Sequence, residues 1–137
     1  MDEWSEPDGG EYRGRDLEVH TAKGFKYYTL FALWDTFRAT HPLFTLIAPK
    51  YNRDFIRTMI VQYEQGGDLP IWELSANETG TMIGYHSIPV IVDAFMKGQT
   101  NFDIEKAFEA MKNSAMRDYR GLQQYRNFGF IPSEQER

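Results

Sequence analysis

An all-α domain is the fold class this sequence predicts, on three observations. Apolar residues recur at three- and four-residue steps in successive blocks from Tyr27 onward. Glycine or proline closes each block. Nothing after residue 25 reads as a strand-rich region.

The elements follow in order. Residues 1 to 24 hold four of the eleven glycines and predict a turn-rich lead-in, with room for one short strand or hairpin around Leu17 to Val19. Residues 25 to 137 read as helical. Leu30, Leu33, Trp34 and Phe37 predict a first helix over 28–40, closed by His41-Pro42 because a residue before proline is pushed out of the helical region. Asn52, a good N-cap, opens a second helix through Phe55, Ile56, Met59, Ile60 and Tyr63 to Gly66-Gly67. A loop from Gly67 to Gly80 leads to a third helix over 81–97, carrying Ile83, Ser87, Val90, Ile91 and Ala94 and stopped by Gly98. Pro89 inside it predicts a kink or a late start near Ser87. Ile104, Ala107, Phe108 and Met111 mark a fourth helix over 103–117, and a fifth covers 119–128 before Gly129.

The bulk numbers narrow the function. With 137 residues the chain makes at most one domain, long enough to bury a core. Fifteen basic against twenty acidic side chains give a net charge of −5 with no basic block, so nucleic acid is not an expected partner. No apolar run is long enough for a membrane span, and no segment has the signal-peptide pattern. Cysteine is absent, which excludes disulfides, zinc fingers and thiol catalysis. Aromatic residues reach 15% in a chain that is 26% charged. Aromatic faces beside carboxylates suit sugar rings, and equally a helical core that uses Phe and Tyr.

The stretch LPIWELSANETGTMIGYH, residues 69 to 86, sets Trp72, Glu73, Asn77, Glu78 and His86 among apolar neighbours. A connecting loop would use small polar residues, and a core would avoid carboxylates. Glu78 is read either as an answer to the positive end of the third helix's dipole or as pocket lining at a helix N-terminal loop, with Asn77 or Thr79 as the cap. His86 is either a hydrogen-bonded core histidine or a ligand. Asn77-Glu78-Thr79 also fits a glycosylation acceptor. On the first helix, Asp35 and Arg38 lie three residues apart at the edge of the apolar face, and Trp34 lies beside them. They are either a structural ion pair or a carboxylate held ionised for substrate hydroxyls with an indole wall. No calcium-loop, zinc-helix, nucleophile-elbow or phosphate-loop motif occurs. What remains is the equipment of glycoside chemistry, or of sugar binding without chemistry.

YTLFALWDTFRATHPLFTLIAP, followed by NRDFIRTMIVQYEQGGDLPIWELSANETGTMIGYHSIPVIVDAFMKG, resembles the catalytic domain of glycoside hydrolase family 92, the calcium-dependent exo-acting α-mannosidases. GEYRGRD before and FGFIPSE after fit the same family, so the likeness runs from residue 9 to residue 133. The resemblance implies part of an (α/α)6 barrel, joined in the family to an N-terminal β-sandwich. It further implies inverting hydrolysis of terminal α-mannosides, calcium as cofactor, and a periplasmic, cell-surface or secreted location. Trp34 and Asp35 match the family's W-D-T motif and are expected to contact the mannose, while Glu78 and His86 are expected to line the pocket. The family's later EGN, GNEP and GNDD motifs, which hold the acid, the base and much of the calcium site, do not occur here. No catalytic residue is therefore expected in this chain, which by itself should lack turnover and should self-associate through exposed apolar helix faces. The competing reading is a non-catalytic helical carbohydrate-binding or scaffold module.

Overall fold

A computed structural model describes residues 2–3, 10–119 and 121–135. The architecture is built around one helix, α3 (Pro49–Gly66). Phe55, Ile56, Met59, Ile60 and Tyr63 recur on one face at helical spacing, and Asn52, Asp54, Thr58 and Gln62 on the other faces are buried too. Burial on all sides marks a central helix. Pro49 occupies its first position, where the missing N–H has no intrahelical acceptor to lose. Gly67, at φ +81°, closes it by donating its N–H to the Tyr63 carbonyl.

Four longer helices accompany it among the described residues: α2 (Thr40–Ile47), α4 (Ser87–Met96), α5 (Ile104–Met116) and α6 (Leu122–Phe128). The first three pack on α3, and α6 packs on α5. Asp103 caps α5 by accepting the Lys106 N–H at 2.9 Å. A 3₁₀ turn, Ser133–Gln135, follows. The fifth expected helix thus starts at Leu122, with Arg120 outside the described residues. The third starts at Ser87, so the late start is the one realised, and Pro89 sits harmlessly in its first turn.

The all-α expectation needs correction, because short antiparallel strands frame the helices. β1 (Asp2–Glu3) pairs with β4 (Tyr28–Thr29), and β2 (Glu11–Arg13) pairs with β3 (Val19–Thr21). β5 (Phe31–Ala32), β6 (Trp72–Leu74) and β7 (Asn77–Glu78) form a three-stranded sheet. The expected lead-in hairpin is β2–β3, with Leu17 in its loop at φ +69°, while residues 1 and 4–9 lie outside the described ones.

The expected first helix over 28–40 is mostly not a helix. Tyr27, Tyr28, Thr29, Phe31 and Leu33 are buried with Leu30 and Ala32 half-buried between them, a run too short for its period to separate strand from helix. Leu30 at φ +64° settles the matter, since no right-handed helix contains that conformation. Only α1 (Leu33–Thr36) is helical there. His41-Pro42, expected to stop a helix, instead lies in the first turn of α2, where proline is tolerated. Asn52, expected as a cap, is buried within α3 and donates from Nδ2 to Gln99 Oε1 at 2.9 Å.

Two apolar cores result. The main one gathers Phe31, Leu33, Ile56, Met59, Leu69, Val90, Ile91 and Ala107 between sheet and helices. A smaller one stacks Tyr12 on Tyr27, ring centroids 3.8 Å apart, beside Ala22. Arg15 ties it to the end of α3, donating to the Asp68 carbonyl at 2.6 Å and to Asp68 Oδ1 at 2.8 Å.

Candidate functional site

The three-stranded sheet brings together residues forty positions apart. Phe31 lies opposite Glu73 and Ala32 opposite Trp72, so the chain reaches α1 directly from a strand pinned to the stretch singled out in the sequence. β6 turns into β7 through Ser75 and Ala76, with Leu74 opposite Asn77 and Glu73 opposite Glu78. Both turn residues have positive φ, +48° and +71°, the sign pattern of a type I′ hairpin that usually recruits Asn-Gly.

Glu73 holds this corner. Its side chain is fully buried, and its carboxylate accepts from Thr29 Oγ1 (2.8 Å to Oε1), from the Leu30 N–H (3.1 Å) and from the Ala76 N–H (2.6 Å). Thr29 Oγ1 in turn accepts the Ser75 N–H at 2.9 Å. Burial pushes the Glu73 carboxyl above the usual carboxylate range, and the bonds from Ala76, Thr29 and Leu30 work against that rise. Sequence reasoning assigned Glu73 no role. The only signal was a carboxylate between Trp72 and Leu74 where a strand would bury its side chain.

Each expected site residue has a defined place. Trp34 and Asp35 stand exposed on α1, with the indole 42% accessible. Asp35 makes no ion pair with Arg38 among the described residues, so the expected pair is not formed. Arg38 instead carries its guanidinium 5.2 Å from the Phe37 ring centroid. Glu78 belongs to β7 and not to a helix N-terminus: α4 starts at Ser87, and neither Asn77 nor Thr79 caps it. The Glu78 carboxylate is half-buried and accepts the N–H groups of Ile71 at 2.8 Å and Trp72 at 3.1 Å. Thr79 Oγ1 donates to the Trp72 carbonyl at 2.9 Å on the same side.

His86 precedes α4 and lies over Phe37, ring centroids 4.3 Å apart. The ring occupies space that Gly84 leaves open, since a Cβ there would meet it at 2.3 Å. Its Nδ1 is buried without a hydrogen-bond partner among the described residues. Burial, then the positive charge of Arg38, holds its pKa below the ordinary histidine value, so the imidazole is neutral near pH 7. The structure thus brings His86 to Phe37 and Arg38, immediately after the turn that presents Trp34 and Asp35. Glu78 joins that group through the backbone of Trp72, the register partner of Ala32.

These side-chain types suit a polyol. An accessible indole stacks on C–H faces, an exposed carboxylate accepts hydroxyl hydrogens, and a neutral imidazole donates or accepts. Two cavities lie elsewhere. One of about 540 Å³ is lined by Lys26, Lys50 and Arg53 near the start of α3. Another of about 270 Å³, walled by Leu69, Ile83 and Leu122, lies against α5 and α6. Neither is lined by Trp34, Asp35, Glu78 or His86. Among the described residues no group of three or more His, Asp or Glu side chains could hold a metal ion.

The chain resembles solved structures over nearly its whole length. A family GH92 α-mannosidase from Bacteroides thetaiotaomicron superposes with a TM-score of 0.92 at 42% identity, covering 98% of this chain and 18% of that one. The same relative in complex with mannoimidazole gives the same values, a TM-score of 0.92 at 42% identity. A family GH92 inverting mannosidase from the same organism gives 0.84 at 36% identity, covering 96% of this chain and 19% of that one. This chain therefore spans less than a fifth of the length of the relatives it matches. No curated protein sequence matches it. Residues 2–137 match the glycosyl hydrolase family 92 catalytic domain, and the chain belongs to that family.

Proposed function

We propose that this chain is a sugar-holding wall of an α-mannosidase that removes terminal α-linked mannose with inversion. The observation that carries the reading is the exposed Trp34-Asp35 corner, set on a strand-braced turn in a chain of this family. Inversion uses two carboxyl groups roughly 6.5–9.5 Å apart, one protonating the leaving oxygen and the other activating water. Neither role is assigned to a residue of this chain. Trp34 stacks on the sugar, Asp35 accepts its hydroxyls, and Glu78 and His86 shape the pocket edge. Calcium, which in this family engages the sugar, would draw its ligands mostly from outside these residues.

The test is Asp35→Ala in the active enzyme that carries this chain. Asp35 is exposed and bonded to nothing among the described residues, so stability should move by less than about 0.5 kcal/mol. Loss of a sugar contact made in both the bound and the transition state should raise KM on an α-mannoside and lower kcat/KM by about 100-fold. Unchanged kinetics, or activity lost only in step with melting temperature, would refute the role.

Without the rest of an enzyme, the chain should not turn over mannosides and should associate with its own copies. Leu46 and Ile47 of α2 are 72% and 67% exposed, and Met96 of α4 is 75% exposed. Gel filtration should give a mass above the 16.0 kDa of one chain, and a monomer at micromolar concentration would contradict this.

A further inference from the structure

We infer that Glu73, with Thr29, is a positioning residue: the pair fixes the left-handed turn at Leu30 and the Ser75-Ala76 turn, and thereby aims Trp34 and Asp35 at the sugar. This inference rests on the reading that Trp34 and Asp35 contact mannose.

The geometry is specific. Three non-glycine residues with positive φ, Leu30 (+64°), Ser75 (+48°) and Ala76 (+71°), converge on one carboxylate and one hydroxyl. Left-handed backbone at such residues persists only where the surroundings over-determine it. Here the surroundings are a buried acceptor pair. Glu73 Oε2 takes the Leu30 N–H, Oε1 takes the Ala76 N–H, and Thr29 Oγ1 donates to Glu73 while accepting from Ser75. Trp34 and Asp35 follow Leu30 by four and five residues, with only the two-residue strand β5 and Leu33 between. If the Leu30 N–H lost its acceptor, φ could return to negative values and the direction of β5 into α1 would change. Glu73 never needs to touch the sugar, and its full burial separates it from solvent.

The conservative changes discriminate. Glu73→Gln keeps the shape but turns a donor toward the Leu30 or Ala76 N–H. Thr29→Val keeps the shape and removes the hydroxyl, whereas Thr29→Ser keeps the hydroxyl. In the active enzyme that carries this chain, assayed on an aryl α-mannoside where each variant is folded, Glu73→Gln and Thr29→Val should raise KM toward that of Asp35→Ala and lower kcat/KM by up to about 100-fold. Thr29→Ser should keep the parental KM. A purely structural role would remove folded enzyme, so kcat would fall in proportion and KM would stay. An impaired Asp35→Ala beside folded Glu73→Gln and Thr29→Val enzymes of unaltered KM overturns the positioning role alone. An unaltered Asp35→Ala enzyme overturns the sugar-contact reading and the positioning role with it. If Glu73→Gln fails to fold, the contrast between Thr29→Val and Thr29→Ser decides: a raised KM only in the valine variant upholds the role, and equal KM values end it.

Discussion

Glu73 in the sheet and His41 at the junction of α2 and α3 are both buried, at 0% and 1% exposure, yet their surroundings differ in kind. Glu73 meets a hydroxyl and two backbone N–H groups. His41 meets the edges of Phe44 and Phe55, at 6.1 and 5.8 Å between centroids, and neither ring nitrogen has a hydrogen-bond partner among the described residues. Burial holds the His41 pKa at about 4, the Asn52 side chain opposing that only in part. One site keeps a polar group by matching it with donors, and the other by keeping it uncharged. The first is therefore fragile to substitution and the second to acid.

The two respond to pH with opposite signs. For His41 the folded pKa lies below the unfolded one, so the unfolded chain binds the proton first and stability falls as pH drops from 6.5 to about 4. For Glu73 the folded pKa lies above the unfolded one, so the native state binds the proton first and the burial penalty is relieved as pH falls through that raised value.

The largest expected effect comes from unmatching the matched site. Glu73→Ala leaves the Leu30 and Ala76 N–H groups and the Thr29 hydroxyl without their acceptor, and should lower stability by about 4 kcal/mol at pH 7. Urea unfolding at fixed protein concentration measures it, and a loss under about 1 kcal/mol would show that the donors find other partners. Next comes acid at the unmatched site. Relative to His41→Leu, the parent chain should lose about 3 kcal/mol between pH 6.5 and pH 4, the worth of the shift down to about 4. Parallel stability curves for the two proteins would mean that His41 is not the acid-sensitive group.

Local signals were legible in the sequence and distant pairings were not. Gly66-Gly67 ends α3 as expected, because a closing glycine acts through backbone groups within four residues. The β6–β7 hairpin was hidden, since its turn is Ser75-Ala76, where type I′ geometry usually announces itself with Asn-Gly. The partnership of 31–32 with 72–73 was hidden for another reason: nothing near Phe31 specifies a strand forty residues away. His41-Pro42 shows the limit of a local rule, for proline ends one helix and begins another equally well. The W-D-T motif pointed to Trp34 and Asp35, which the structure leaves accessible, but helical spacing alone could not foresee that Arg38 would turn to Phe37. Glu73 escaped because its partners are mostly backbone groups, which no residue pattern advertises.

The smallest effect tests whether the matched site really carries backbone strain. Ser75 is exposed at φ +48°, and the bond it makes to Thr29 comes from its N–H, which glycine retains. Left-handed backbone costs an L-residue roughly 1–2 kcal/mol, against roughly 0.5–1 kcal/mol for the extra freedom of unfolded glycine. Ser75→Gly should thus raise stability by about 0.5 kcal/mol, reversing the usual sign of a glycine substitution. Ala76→Gly relieves a similar angle, φ +71°, but its methyl is only 5% exposed, and losing about 0.8 kcal/mol of burial should bring the net near zero. Denaturant midpoints of both variants separate strain from packing. With Glu73 changed to Ala the gain at Ser75 should shrink, because a turn that is no longer pinned can relax on its own.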